Sequence, residues 1–209
     1  GDSVLGTNLE QSTTLLAQLK NLRANLGVYA VLGNHDYGIH SGLFRLEYDE
    51  DRSEELTQFF SSIGITVLRN EHVLLPLSSI NLALAGTADI WSEKMDLSLT
   101  LDGIESAMPI LLIAHNPDIA LLEKSKRAKL IIAGHTHGGQ IRLPFIGPIF
   151  PIPTHLGQKY SQGIFPLGTE RKIVITRGVG ESGPRARLLA PPEILLLTLQ
   201  PTLEPILLP

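Results

Sequence analysis

The sequence predicts an α/β (α+β) fold in which two mixed β-sheets are flanked by helices. Three observations carry that expectation. Helical and strand-like apolar periodicities alternate from the first turn of the chain onward. Several short apolar runs stop abruptly in clusters of Gly, His, Asn and Asp, as strands do where they feed a ligand crevice. The chain has 209 residues, 43% hydrophobic and 18% charged, which suits one domain, residues 1–209, with a sizeable core.

Residues 8–26 read as an amphipathic helix, because Leu9, Leu15, Leu16, Leu19, Leu22 and Leu26 recur at three- and four-residue spacing. Thr7 or Asn8 suits its cap, and Gly27 the position just past its end. Residues 28–32 are rich in β-formers and read as a buried strand that Gly33 ends. A polar, Gly-containing insertion fills 38–50. A second helix follows over 52–62, with Leu56, Phe59, Phe60 and Ile63 on one face and Gly64 behind it. Strands are expected at 65–68, 73–77 and 80–85, the first two separated by a polar turn at 69–72. One short helix is expected within 87–108. The apolar run 109–114 reads as a strand ending at His115, residues 117–124 as a helix, and 130–133 as a strand ending at Gly134-His135. Four prolines make 144–153 a loop. The last strands are expected at 172–176 and 193–199. Eight strands are more than one small sheet holds, hence two facing sheets with helices outside.

Composition removes several function classes. The net charge of −4 offers no basic footprint for nucleic acid. The chain contains no cysteine, so it has no disulfide, no thiolate zinc site and no thiol nucleophile. No run approaches the length of a membrane-spanning helix, since Gln200, Glu204 and prolines interrupt the apolar C-terminal stretch 194–209.

What remains is a set of polar clusters placed just after expected strands: Gly33-Asn34-His35-Asp36, His115-Asn116, and Gly134-His135-Thr136-His137-Gly138-Gly139, with Gly1-Asp2 opening the chain. His135 and His137 lie two residues apart, so in an extended segment both rings point the same way. The flanking glycines allow an irregular loop that aims them at neighbouring ions. Imidazole suits zinc, iron, manganese and related cations. Asp2 offers an oxygen able to bridge two cations, Asn34 a neutral carbonyl, and His115 a third imidazole. A mixed nitrogen and oxygen set without sulfur favours a hydrolytic site with two divalent ions over a closed structural zinc site. His40, His72 and His155 read as ordinary polar residues. Glu10, Asp89 and Glu193 have no visible partner and are taken as structural.

Gly33-Asn34-His35-Asp36 and Gly134-His135-Thr136-His137 resemble the paired motifs of the calcineurin-like metallophosphoesterase superfamily. Gly1-Asp2 resembles its Gly-Asp motif and His115 its isolated histidine, in the same order and at compatible spacing. The string at 134–144, with residues 114–118, 177–180 and 192–194, is similar to the bacterial YkuE/YaeI-type branch. The resemblance covers nearly the whole chain. It implies a four-layer sandwich of two mixed sheets between helices. It implies two metals bridged by Asp2, with Asn34, His115 and His135 completing one site and His137 belonging to the other. The superfamily's Asp-x-His motif, which supplies the other ligands of that second site, occurs nowhere in the 209 residues. The expectation is therefore a chain lacking its first strand, and a weak or inactive catalyst as it stands.

The expected reaction is hydrolysis of a phosphodiester or phosphomonoester by a hydroxide that the metal pair activates. The family motif implies that His35 protonates the leaving group while Asp36 orients its ring. Arg142 and Arg177 are candidate phosphate contacts, because a planar guanidinium matches phosphate oxygens. Two alternatives stand beside this. One is a hydrolase of a lipid-linked nucleotide pyrophosphate such as UDP-diacylglucosamine, with Ile146, Ile149, Phe150, Ile152 and Leu156 as an acyl-facing rim. The other is a non-catalytic metal-binding module. The resemblance leaves substrate, native metal and compartment open: the cytoplasmic face, or membrane association or export through a segment preceding residue 1.

Overall fold

The computed structural model describes residues 1–3, 9–41, 45–77, 80–183 and 185–200. The first helix, α1 (Leu9–Leu16), continues only as a 3₁₀ turn over Ala17–Asn21. It is shorter than its leucine spacing predicts. Leu15, Leu22 and Leu26 are exposed, while Leu16 and Leu19 pack on a core, so half the stripe has no surface to bury against. The expected caps Thr7 and Asn8 lie outside the described residues.

Strand β1 (Tyr29–Ala30) leads into a 3₁₀ turn at Asn34–Tyr37. The expected polar insertion contains a hairpin, β2 (Ile39–Ser41) against β3 (Leu46–Tyr48). Helix α2 (Ser53–Ser62) buries Leu56 and Phe60. Strand β4 (Thr66–Val67) pairs in parallel with β1, so the second sheet is a two-stranded pair among the described residues. With Leu32, Tyr37, Ile39 and Ala88, these elements enclose one core.

The larger sheet has six strands: β5 (Glu71–Pro76), β6 (Asn81–Gly86), β7 (Ile110–Ile113), β8 (Leu130–Ala133) and, beyond the site loops, β11 (Gly163–Leu167) and β12 (Arg171–Ile175). The intervening β9 (Arg142–Leu143) and β10 (Gly147–Pro148) form a small hairpin inside the expected proline loop. The sheet order is β11-β12-β8-β7-β6-β5. The inner pairs β6–β7, β7–β8 and β8–β12 are parallel, and both outer pairs are antiparallel. The central strands are short aliphatic runs, as strands covered on both faces should be. Ala83, Ala85, Ile110, Leu112, Ile131, Ile173 and Ile175 form the second core with Leu97 and Leu101 of α3 (Leu97–Leu101). The Asp96 carboxylate caps α3 through the amides of Ser98 and Leu99.

The two sheets meet at the end of β6. A Cβ on Gly86 would collide with Leu68 and press on Val31, so only glycine lets them approach there. The expected helix at 117–124 is two successive 3₁₀ turns, Pro117–Leu121 and Glu123–Arg127. The expected strand at 193–199 does not form within the described residues. It is an apolar run, but Ile194 and Leu196 face solvent and no described strand pairs with it. Strand β11 was not expected, because Pro166 and Gly163 obscure its pattern. Lying at the sheet edge, β11 can accommodate a proline.

Candidate active site

Strands β7 and β8 are parallel neighbours, and each ends in a histidine. His115 follows β7, and His135 follows β8 by one glycine. Their ring centroids are 4.9 Å apart, with His115 Nε2 3.1 Å from His135 Nδ1. Asp2 comes from the opposite side, its Oδ2 3.0 Å from His115 Nε2. Metal-ligating atoms of Asp2, His115 and His135 lie within 4.8 Å of one another. All three side chains are largely withdrawn from solvent.

The turn after β1 closes the same space. Asp36 is fully buried and accepts hydrogen bonds from the amides of Gly33 (2.9 Å) and Ser3 (2.6 Å). That ties the turn to the first residues of the chain. The His35 amide donates to Asp2 Oδ1 at 3.1 Å, and a Cβ on Gly33 would collide with the Asp2 carboxylate. Asn34 donates its amide to the Ile39 carbonyl at 2.6 Å, which leaves its buried Oδ1 without a partner. Backbone strain gathers here. Asp2, His135, His137 and Gln140 all have φ between 45° and 68°. That left-handed region costs a non-glycine residue about 1–3 kcal/mol when such conformations are forced at functional sites.

Hydrogen bonds select the tautomers. The Pro153 carbonyl, 3.0 Å from His135 Nε2, can only accept, so Nε2 carries the hydrogen and Nδ1 presents its lone pair toward His115. In the same way the Gly180 carbonyl, 3.3 Å from His137 Nδ1, leaves that ring's Nε2 as its lone-pair nitrogen. Trp91 packs edge-on against His135 at 4.8 Å. Burial pushes His135 down to about 3, with the charge of His115 adding to the effect. Burial likewise lowers His35 and His137 below the ordinary histidine value, and the Asp2 charge partly opposes it in both. For Asp2, burial acts to raise the carboxyl, but His115, by charge and hydrogen bond, and then His35 hold it well below the usual range.

The donors fit a divalent cation. His115 Nε2 faces two acceptors at once, a carboxylate oxygen and an imidazole lone pair, and one cation satisfies all three where a single proton cannot. Neutral imidazoles and an ionised carboxylate are the states metal ligation requires. The unpartnered Asn34 Oδ1 belongs to the lining of the same cavity, of about 300 Å³, as do His35, His40 and His137.

Some expected contacts are not made. Asp36 spends its carboxylate on backbone amides, and His35 Nδ1 is buried with no hydrogen-bond partner, so Asp36 does not orient that ring. Arg142 donates to the Gly138 carbonyl and the Ser161 hydroxyl, both at 2.8 Å. Arg177 forms an ion pair with Glu193 through Nε at 2.7 Å and through Nη2. Neither arginine lines the cavity; each braces the loops behind it. Glu193 therefore has a structural partner, while the Glu10 side chain lies outside the described residues.

Sequence reasoning also missed parts of the wall. His40 meets His35 edge-on with ring centroids 4.4 Å apart, and Trp91 and Pro153 join the expected rim residues Phe150 and Ile152 in the lining. Only the density of prolines at 144–153 hinted that this loop is ordered. Asp89 is buried, and its Oδ2 has no partner. Burial raises it to about 6 against the opposing charge of His115.

Comparison with known proteins accords with this geometry. The bacterial phosphoesterase YkuE of Bacillus subtilis (strain 168), described as an uncharacterized metallophosphoesterase, is 32% identical over 185 residues, 88% of this chain and 60% of that protein. The phosphodiesterase YaeI of Escherichia coli (strain K12) is 33% identical over 172 residues, 82% of this chain and 57% of that one. The UDP-2,3-diacylglucosamine pyrophosphatase LpxG of Chlamydia muridarum (strain MoPn / Nigg) is 25% identical over 235 residues, 94% of this chain and 71% of that one. The chain thus spans about 60% of the length of YkuE and slightly less of YaeI. The calcineurin-like phosphoesterase profile matches residues 1–139, which carry all the donors that converge on the cavity. Sequence and site geometry meet in one assignment: the chain belongs to the calcineurin-like metallophosphoesterase family, which implies divalent metal ions.

Proposed function

We propose that this chain is a metal-dependent phosphoester hydrolase, acting on a phosphodiester or phosphomonoester, and that residues 1–209 form one catalytic domain. The observation that carries the reading is the convergence of Asp2, His115 and His135 on one another beside the cavity, with two acceptors facing His115 Nε2. In this reading Asp2, Asn34, His115 and His135 hold one divalent ion, and Asp2 and His137 contribute to a second. Manganese, iron and zinc all suit such a donor set. Bound there, the ions supply Lewis acidity: they lower the pKa of water toward about 7 and offset charge on the phosphoryl oxygens.

The chain's own residues do the rest. Asp2, kept ionised, binds from the floor of the cavity. Pro153 and Gly180 fix the rings of His135 and His137 so that lone pairs face inward. Trp91 and Ile152 exclude water from one side. His35 reaches the cavity from the turn that Asp36 holds, and in its protonated form, a minor but more acidic state because burial lowers its pKa, it gives a proton to the ester oxygen as the P–O bond breaks. Water provides the incoming oxygen, so the products are an alcohol and a phosphate one ester poorer. Such an acid contributes about 10²–10⁴-fold. His35→Ala should cut turnover on poor alkoxide leaving groups by that factor and on activated aryl phosphates far less. Equal losses on both would remove the acid role. No manganese binding by this chain, together with no hydrolysis of either ester, would remove the reading itself.

A second reading concerns the substrate. The β9–β10 hairpin exposes Phe145, Ile146 and Leu143, and Phe150 continues this apolar surface into the cavity lining. Exposed large apolar groups gathered at a site mark recognition surfaces. LpxG is named for a diacylated nucleotide pyrophosphate. An acyl-bearing phosphoester is the substrate class this rim favours.

A further inference from the structure

We infer that Asp118 is a positioning residue that fixes the metal-facing nitrogen of His135 through the loop at 153–156, an inference that rests on the metal-site reading above. Asp118 lies three residues after His115, at the start of the Pro117–Leu121 turn, where the Asn116 side chain caps its amide at 2.9 Å. Asp118 is 3% exposed, and its carboxylate is aimed at the loop rather than at the cavity. It accepts from the Thr154 hydroxyl, from the His155 amide at 2.9 Å to each oxygen, from His155 Nδ1 at 2.8 Å and from the Leu156 amide at 3.2 Å. One buried carboxylate thus gathers the donors of three consecutive residues.

The residue immediately before that trio is Pro153, whose carbonyl accepts the Nε2 hydrogen of His135. Among the described residues the Pro153 carbonyl is the acceptor that holds the hydrogen on Nε2: Trp91 touches the ring edge-on, and His115 faces the opposite nitrogen. If the loop drifts, the Pro153 carbonyl leaves, and the hydrogen can move to Nδ1, the nitrogen that must stay bare to bind an ion. Carbonyl partners of this kind orient metal-binding imidazoles, and losing such outer partners typically costs about 10–100-fold in metal affinity. Residues 115–118 therefore serve the site twice. His115 offers a donor directly, and Asp118 governs the nitrogen that the second imidazole presents. His155 is the exposed lid of this clamp, with Asp118 beneath it.

The test compares Asp118→Ala and Asp118→Asn with the wild-type protein. The readouts are manganese affinity by calorimetry and the ¹⁵N shifts of His135 in metal-free protein, assigned by His135→Gln. Wild type should show the Nε2–H tautomer. Asp118→Ala should show a tautomer mixture and bind manganese about 10–100-fold more weakly, and Asp118→Asn, which keeps one acceptor oxygen, should fall between. An Asp118→Ala protein with wild-type tautomer and affinity within twofold overturns the inference. Should Asp118→Ala not fold, Thr154→Val/His155→Ala removes two of the side-chain donors, and an unshifted His135 there overturns it equally. The tautomer readout needs no metal, so a protein that binds no manganese refutes the metal-site reading while Asp118 is still decided.

Discussion

The two sides of the cavity are built differently. On one side Asp2, His115 and His135 interlock at 3.0–3.1 Å, and β7 and β8 carry both imidazoles from the parallel centre of a mixed sheet. On the other side His137 sits in a glycine-rich loop, held by one carbonyl at 3.3 Å. The first side is pre-organised by a sheet whose strands cannot shift without breaking a core. The second depends on a loop in which Gly138 and Gly139 have φ of +66° and +75°, and in which a Cβ on either would collide, with Arg177 at one and Pro148 at the other. Rigid elements place donors more precisely than loops do. One group of donors is thus framed largely by the sheet, while His137 comes from a loop.

The strongest way to break that contrast is to remove a donor from the framed side. His135→Ala should weaken manganese binding by more than about 100-fold, beyond what losing an outer partner costs. A calorimetric change under tenfold would mean the interlocked trio is not the tighter position. His137→Ala comes next. It should lower the number of bound ions and reduce hydrolysis while leaving the tighter affinity within a few-fold; loss of both binding events together would merge the two sides into one.

The pH dependence of metal-free stability sharpens the same comparison. His35, His135 and His137 have pKa values lowered by burial, so the unfolded chain binds more protons than the folded one below about 6.5. Their contribution is present above that pH. It is lost progressively as the pH falls, with His135 still losing ground down to about 3. Melting temperature should therefore drop from pH 7 to pH 4, and His135→Gln should flatten the slope more than His137→Gln. Asp89 has the opposite sign. Its carboxyl is raised to about 6, so ionisation above that pH penalises the fold. Asp89→Asn keeps the acceptor for the Trp91 amide, 2.8 Å from Oδ1, and should stabilise the metal-free protein at pH 8 by about 1–2 kcal/mol. An unchanged melting temperature would show that Asp89 has a partner in solution.

The smallest effect is expected at the rim. Phe145→Ser should leave KM and kcat for a small aryl phosphodiester unchanged. It should raise KM for an acyl-bearing phosphoester by about 10-fold, the worth of a few buried methylenes. Equal kinetics on the acylated substrate would remove the rim from recognition.

Much of the fold was legible in residue patterns. The central strands are aliphatic runs ending in glycine or histidine, and β7 and β8 lie within two residues of their expected bounds. Patterns failed where pairing decides. Residues 193–199 look like a strand and have no neighbour to pair with among the described residues, whereas β11 looks broken and is held by β12. The leucine stripe of 8–26 overshoots because spacing describes a face and not what covers it. At the site, His115, His135 and His137 were readable from residue type and spacing, while Trp91, Pro153 and His40 were not. A backbone carbonyl has no signature in a sequence, and a stacking ring is indistinguishable from a core one.

The sequence by itself determined which atoms can bind: oxygens and imidazole nitrogens with no sulfur, in three clusters after expected strands and a fourth at Gly1-Asp2, since donor chemistry belongs to residue type. Only the tertiary structure decided which of them meet and in what state. Parallel pairing of β7 and β8 brings His115 and His135 together across 20 residues of chain. Burial disfavours the charged form of His135 and His137, and the Pro153 and Gly180 carbonyls choose their tautomers. The same step drew Asp36, Arg142 and Arg177 away from the chemistry, because a buried amide or an unpaired carboxylate nearby claimed each of them first or a loop carbonyl did. Satisfying buried polar groups is a property of the folded neighbourhood, and no single segment carries it.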